Sequence, residues 1–139
     1  ICSHIRQKAG KFCHGFGSFS FLTCILLDTF IQRLKMTFDV EGLMHNKAEG
    51  KTVRKVALCG GAGSFLLEPA AAKGADCFIT GEMSYHAYFG HDEDMLICVM
   101  GHYQSEQYTK EIFRDLLLGK FPSLKVELCS VNTNPVHCS

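Results

Sequence analysis

Leu96-Ile97-Cys98-Val99-Met100-Gly101-His102-Tyr103-Gln104-Ser105-Glu106 reads as one element handing over to another. Leu96 to Met100 is wholly apolar, the pattern of a parallel strand buried on both faces, and Gly101 lets the backbone turn without a Cβ penalty. From Gln104 a helical period takes over and is expected to run to Leu118. Its inward positions, Thr109, Ile112, Phe113, Leu116 and Leu117, recur at three- and four-residue steps and are expected to face the core. Extended backwards at about 100° per residue, the same arc takes in His102 and Glu106. A buried strand followed directly by a helix is the repeating unit of an α/β fold.

Moving outward, Asp28 or Thr29 is expected to cap a helix whose inward side is Phe30, Ile31, Leu34 and Phe38, with Gln32, Arg33 and Lys35 outside. Val40 to His45 and Lys55 to Cys59 read as strands, separated by the polar, Gly-containing turn Asn46 to Lys51. Ser64 to Lys73 is helix-like with Gly74 as its stop, and Pro69 either kinks it or lies in a late first turn. Cys77 to Thr80 is a strand and Ser84 to Phe89 a short aromatic helix or turn. Lys125 to Cys129, beyond Gly119 and Pro122, is expected to make a last strand. This alternation predicts an α/β domain over residues 28–139, its sheet mostly parallel or mixed and flanked by helices.

The 139 residues suffice for one domain with a real core. Lys plus Arg and Asp plus Glu balance at 14 each, which excludes the basic field of a nucleic-acid binder or a polybasic membrane anchor. Eight cysteines include no C-x-x-C. Cys59, Cys77, Cys98 and Cys129 fall in apolar runs and read as small buried hydrophobes of a reducing, cytoplasmic protein. Residues 1–27 are left unassigned: they lack an initial methionine and read as a remnant of something preceding. Cys2, Cys13 and Cys24 stand at even spacing there. The apolar stretch Phe16 to Leu27, behind Arg6, Lys8 and Lys11, is shorter than the roughly 20 residues a bilayer needs, and no small-residue cleavage site follows it.

In parallel sheets, ligands gather outside the carboxyl ends of the strands, and three such ends here carry polar or glycine-rich turns. Cys59-Gly60-Gly61-Ala62-Gly63-Ser64 lacks the lysine of a P-loop and, at Leu66, the third glycine of a dinucleotide fingerprint. Its amides could hold an anion, or the turn could simply let helix and strand pack closely. Thr80-Gly81-Glu82-Met83-Ser84-Tyr85-His86 sets a carboxylate and an imidazole four residues apart: second-shell support or substrate contact, or else a capped short helix with an exposed histidine. His91 lies in an acidic loop and reads as a solvated surface residue. In Gly101 to Glu106, His102 and Glu106 are one helical turn apart and could reach one cation. The alternative is that Glu106 caps the helix while His102 packs in the core.

These runs, Val56 to Ser64, Gly74 to Glu82, Tyr85-His86, Gly101 to Glu106 and the closing Asn132-Thr133-Asn134-Pro135, together resemble the Nif-three-like family, also labelled GTP cyclohydrolase I type 2 homologue. The resemblance covers roughly Phe30 to His137. It implies a ring-shaped homo-hexamer with two divalent metal ions per subunit; zinc, iron, manganese or nickel would suit the donors. It maps the family's Gly-His-x-x-x-Glu motif onto Gly101, His102 and Glu106, making His102 and Glu106 metal ligands, with Glu82, Tyr85 and His86 beside the same cleft as substrate or second-shell residues. The family's other ligands, adjacent histidines and an aspartate, come from an N-terminal half with no equivalent before Asp28, where His14 stands alone. The chain is therefore expected to be the C-terminal part of such a protein and to bind metal weakly by itself.

Two functions of different class follow. One is a metal-dependent hydrolase acting on a nucleotide or related heterocycle, with His102 and Glu106 on the metal and Glu82 and His86 positioning substrate or moving protons. The other is a metal-binding oligomeric scaffold or regulatory protein without turnover. A third, metal-independent nucleotide binding by the Gly60 to Ser64 turn, is weaker.

Overall fold

A computed structural model of the chain describes residues 18–46, 52–91 and 93–136. Arg6, Lys8, Lys11, Cys2, Cys13, His14 and residues 47–51 of the expected turn lie outside them. The elements are β1 (Ser18–Leu26), α1 (Leu27–Phe38), β2 (Met44–His45), β3 (Thr52–Cys59), a 3₁₀ turn (Ser64–Leu66), α2 (Leu67–Ala72), β4 (Cys77–Thr80), a second 3₁₀ turn (Tyr85–Tyr88), β5 (Leu96–Val99), α3 (His102–Glu106) and α4 (Thr109–Lys120).

The result is an α/β fold around a five-stranded mixed sheet of order β1-β3-β4-β5-β2. The central strands β3, β4 and β5 are parallel, with Thr80 opposite both Cys59 and Val99. Both edges are closed by antiparallel partners, β1 on β3 and β2 on β5. Every residue of β4 and β5 is buried, as their unbroken apolar runs require. The two-residue period of a strand sorts these side chains into two cores. Cys77, Ile79, Leu96, Cys98 and Met100 face α1 through Phe30, Leu34 and Phe38. Phe78, Ile97 and Val99 face α2 through Leu67 and Ala70. Pro69 sits in the first turn of α2, where a missing N–H costs no helical hydrogen bond.

Several expectations need correction. Residues 18–26, unassigned from sequence, form the edge strand β1. The strand expected at Val40 to His45 shrinks to Met44–His45, because Asp39 takes a left-handed conformation (φ 51°) and delays the return to the sheet. Asp28 and Thr29 do not cap α1: Leu26 occupies that position without a side-chain cap, and Asp28 lies in the first turn, where the helix dipole favours it. Lys125 to Cys129 is not a strand. Val126 and Leu128 alternate suitably and are half-buried, but the segment pairs with neither edge strand, β1 or β2. With it Cys129 is exposed, whereas Cys77 and Cys98 are buried as expected and Cys59 half so; all four are free thiols.

The helix expected over Gln104 to Leu118 starts earlier and breaks at Gln107–Tyr108 into α3 and α4. At the break the Gln107 side chain donates to the Phe38 carbonyl at the end of α1 (3.0 Å). No residue of α4 is buried, and Phe113, Leu116 and Leu117 are 61%, 63% and 40% exposed, so its apolar stripe does not face the core. The two core clusters of the sheet are packed by α1 and α2 instead. Among the described residues no helix is long and apolar enough to cross a membrane.

Candidate metal and ligand site

The parallel register sets the ends of β3, β4 and β5 side by side, and the three turns that follow interlock. Gly61 is their centre. Its carbonyl accepts the Thr80 hydroxyl (3.1 Å) and the Gly81 and Glu82 amides (3.0 and 3.1 Å). Its own N–H donates to Ser105 Oγ (2.9 Å), and that hydroxyl donates onward to the His102 carbonyl (2.7 Å). The Gly63 N–H donates to Thr80 Oγ1 (3.1 Å). Two amides of the Gly60 to Ser64 turn are thus used internally, which supports close packing over an anion cradle. Thr80 and Ser105 are buried polar groups that the sequence reading did not single out. Their one signal is a hydroxyl closing an otherwise apolar strand and another just inside a helix start.

This frame brings Glu82, His102 and Glu106 together. His102 Nδ1 lies 2.7 Å from Glu82 Oε1, and Nε2 lies 3.2 Å from Glu106 Oε2. All three side chains are about half exposed at the cavity wall, not in the apolar arc expected for His102 and Glu106. The Glu82 hydrogen bond raises the His102 pKa above its usual value, partly opposed by desolvation and reinforced by the charge of Glu106. Gly61 permits the approach: its φ is 64°, and a Cβ there would lie 2.6 Å from Glu106 Oε1 and 3.2 Å from His102 Nε2. Gly101 caps α3 at φ 100°, so Glu106 does not act as the cap.

Tyr85 and His86 stand apart. Tyr85 packs edge-to-face against His86 and Phe89, with centroids 5.5 and 5.1 Å away, in an exposed cluster that no hydrogen bond among the described residues joins to the Glu82–His102–Glu106 chain. His91 is not a solvated residue. Its side chain is 13% exposed between Glu68 (3.7 Å) and Asp94 (3.5 Å). Its carbonyl and that of Met95 accept the side-chain amide of buried Asn46 (3.2 and 2.9 Å), whose oxygen receives the Ile97 N–H (2.8 Å).

The donor chemistry fits part of a metal site. His102 Nε2 and a Glu106 oxygen converge, and Glu82 behind Nδ1 is the orienting carboxylate that metal-bound imidazoles usually have. Among the described residues, no three or more His, Cys, Asp or Glu gather so as to hold an ion unaided. Beside this chain opens a cavity of about 720 Å³, walled on one side by Glu82, His102 and Glu106 and on the other by Cys129 and the Val131–Val136 region.

The model of the Duf34/NIF3 (NGG1p interacting factor 3) family matches residues 5–135. A "GTP cyclohydrolase 1 type 2 homolog" of Streptococcus pneumoniae is 32% identical over 114 residues, covering 76% of this chain and 43% of the relative. One from Halalkalibacterium halodurans is 32% identical over 128 residues, 87% of this chain and 34% of the relative. Among solved structures, a Staphylococcus aureus hypothetical protein superposes with a TM-score of 0.81 at 23% identity, covering 90% of this chain and 43% of that one. A Bacillus cereus protein related to NIF3 gives 0.72 at 26% identity, covering 90% and 36%. The chain therefore spans less than half the length of these four relatives.

Proposed function

Since the chain belongs to the Duf34/NIF3 family, we propose that Glu82, His102 and Glu106 are its share of a divalent-metal centre that serves hydrolysis of a nucleotide or related heterocycle. The observation that carries this reading is the His102 imidazole held between two carboxylates at the carboxyl edge of a parallel sheet, beside a ligand-sized cavity. His102 Nε2 and Glu106 would hold the ion. Bound, it would supply Lewis acidity and a low-pKa water. With Nε2 on the ion, the ring would carry its proton on Nδ1, facing Glu82, which would fix its orientation. The remaining donors come from outside the described residues, in a longer chain or a second copy. GTP is the first substrate to test, because relatives are named GTP cyclohydrolase 1 type 2 homologs.

The exposed apolar stripe of α4 favours a homo-oligomer, and with it a second reading in which the cleft binds without turnover. Elemental analysis of the purified chain, alongside GTP turnover, separates the two. Metal bound by the wild type and lost in His102→Ala/Glu106→Ala, with turnover lost in parallel, supports the hydrolase. Metal without turnover supports the scaffold. Equal metal in wild type and variant sinks the metal reading altogether.

A further inference from the structure

We propose that Lys110 is the phosphate anchor of this cavity, so that its ligand is a phosphorylated molecule, in the first instance a nucleoside phosphate. The inference deepens the nucleotide reading above and rests on it for the heterocycle alone.

Three observations carry it. First, Lys110 is the only Lys or Arg among the described residues that line the cavity. Second, its charge is uncompensated. Its ammonium donates to the neutral carbonyl of Cys129 (2.9 Å), and among the described residues no carboxylate lies within ion-pair distance of it. One of three N–H donors is used, so two remain. Third, the neighbouring lining groups are donors. Asn134 Oδ1 accepts the Val136 N–H (3.2 Å), which leaves the Asn134 amide NH₂ to donate, and Thr133 adds a hydroxyl.

The same cavity carries Glu82 and Glu106, which repel an anionic ligand. A phosphoryl group would enter where a positive charge and N–H or O–H donors meet it, and of the lining residues Lys110 supplies that charge, with Asn134 and Thr133 on the same wall as Cys129 supplying donors. A cavity of about 720 Å³ has room for a nucleoside phosphate.

The test is titration calorimetry of the whole chain with GTP, guanosine and tripolyphosphate, in chelator so that no metal contributes. Lys110→Gln is the informative variant: it keeps a donor for the Cys129 carbonyl while removing the charge, and Lys110→Arg is its rescue. GTP is expected to bind more tightly than guanosine. Lys110→Gln should weaken GTP about tenfold, with guanosine and the thermal midpoint unchanged, and Lys110→Arg should restore most of the loss. Tripolyphosphate competing with GTP would support the anchor and locate it at the phosphoryl end. Guanosine binding as tightly as GTP, no binding of GTP at millimolar concentration, or Lys110→Gln binding GTP like the wild type would overturn it. Because chelator is present, failure here leaves the metal reading standing, and a chain that binds no metal leaves this one standing.

Discussion

At His102 the two ring nitrogens have different neighbours, and that asymmetry can be measured. Its pKa is raised in the folded chain, so folding takes up a proton, and the resulting stabilisation is fully present below the ordinary histidine pKa and lost as pH rises through the raised value. Glu82→Gln removes the largest cause of the shift. The His102 resonances should then titrate at lower pH, and the stability of metal-free protein should vary less across that window; an unmoved NMR titration would contradict the assignment. In metal-loaded protein the same variant should weaken binding about 10- to 100-fold, read by competition with a chelator. Gly61→Ala forces a Cβ against the Glu106 carboxylate at φ 64°, and should cost at least about 1–2 kcal/mol in denaturant unfolding while displacing Glu106. His102 and Glu106 were legible as a pair because four-residue spacing on a helix survives translation into space. The contact of Glu82 with His102 was not legible, since 20 residues separate them and only the register of β4 against β5 joins their ends.

Among the elements, the buried strands β4 and β5 were readable because a strand covered on both faces is apolar at nearly every position, Thr80 alone excepted. Asn46 shows the opposite case. It reads as the first residue of a polar turn, yet it is buried, and its side-chain hydrogen bonds among the described residues hold the 91–95 loop and the start of β5 to the end of β2. Asn46→Ala would take the partner from the Met95 carbonyl and the Ile97 N–H in the interior, while the His91 carbonyl keeps the Met95 N–H (3.2 Å), and should destabilise the chain by about 2–4 kcal/mol in chemical denaturation. A loss under 1 kcal/mol would mean that water replaces the amide. β1 escaped the reading for a different reason: an edge strand owes its existence to its neighbour's free ladder, which no local pattern encodes.

For the molecule as a whole, the α4 stripe explains why a correct periodicity led to a wrong location. Phe113, Leu116 and Leu117 share a helical face, but periodicity says only that a face wants cover, not that the same chain supplies it. The chain should therefore self-associate as concentration rises, and Phe113→Glu/Leu116→Glu should shift it towards monomer in sedimentation velocity with its circular dichroism unchanged. A wild type that stays monomeric at high concentration would remove α4 from any contact between copies.

One oxygen atom has a consequence for timescale. The Gly61 carbonyl ties the Thr80 hydroxyl and the Gly81 and Glu82 amides to the turn after β3, and through Ser105 that turn is tied to α3. No one of these loops can open without releasing the others. In hydrogen–deuterium exchange the amides of Gly61, Gly63, Gly81 and Glu82 should therefore exchange together, at a common and slow rate set by a collective opening rather than by independent loop fluctuations. The cleft wall would then behave as a single rigid body, already shaped before anything binds to it.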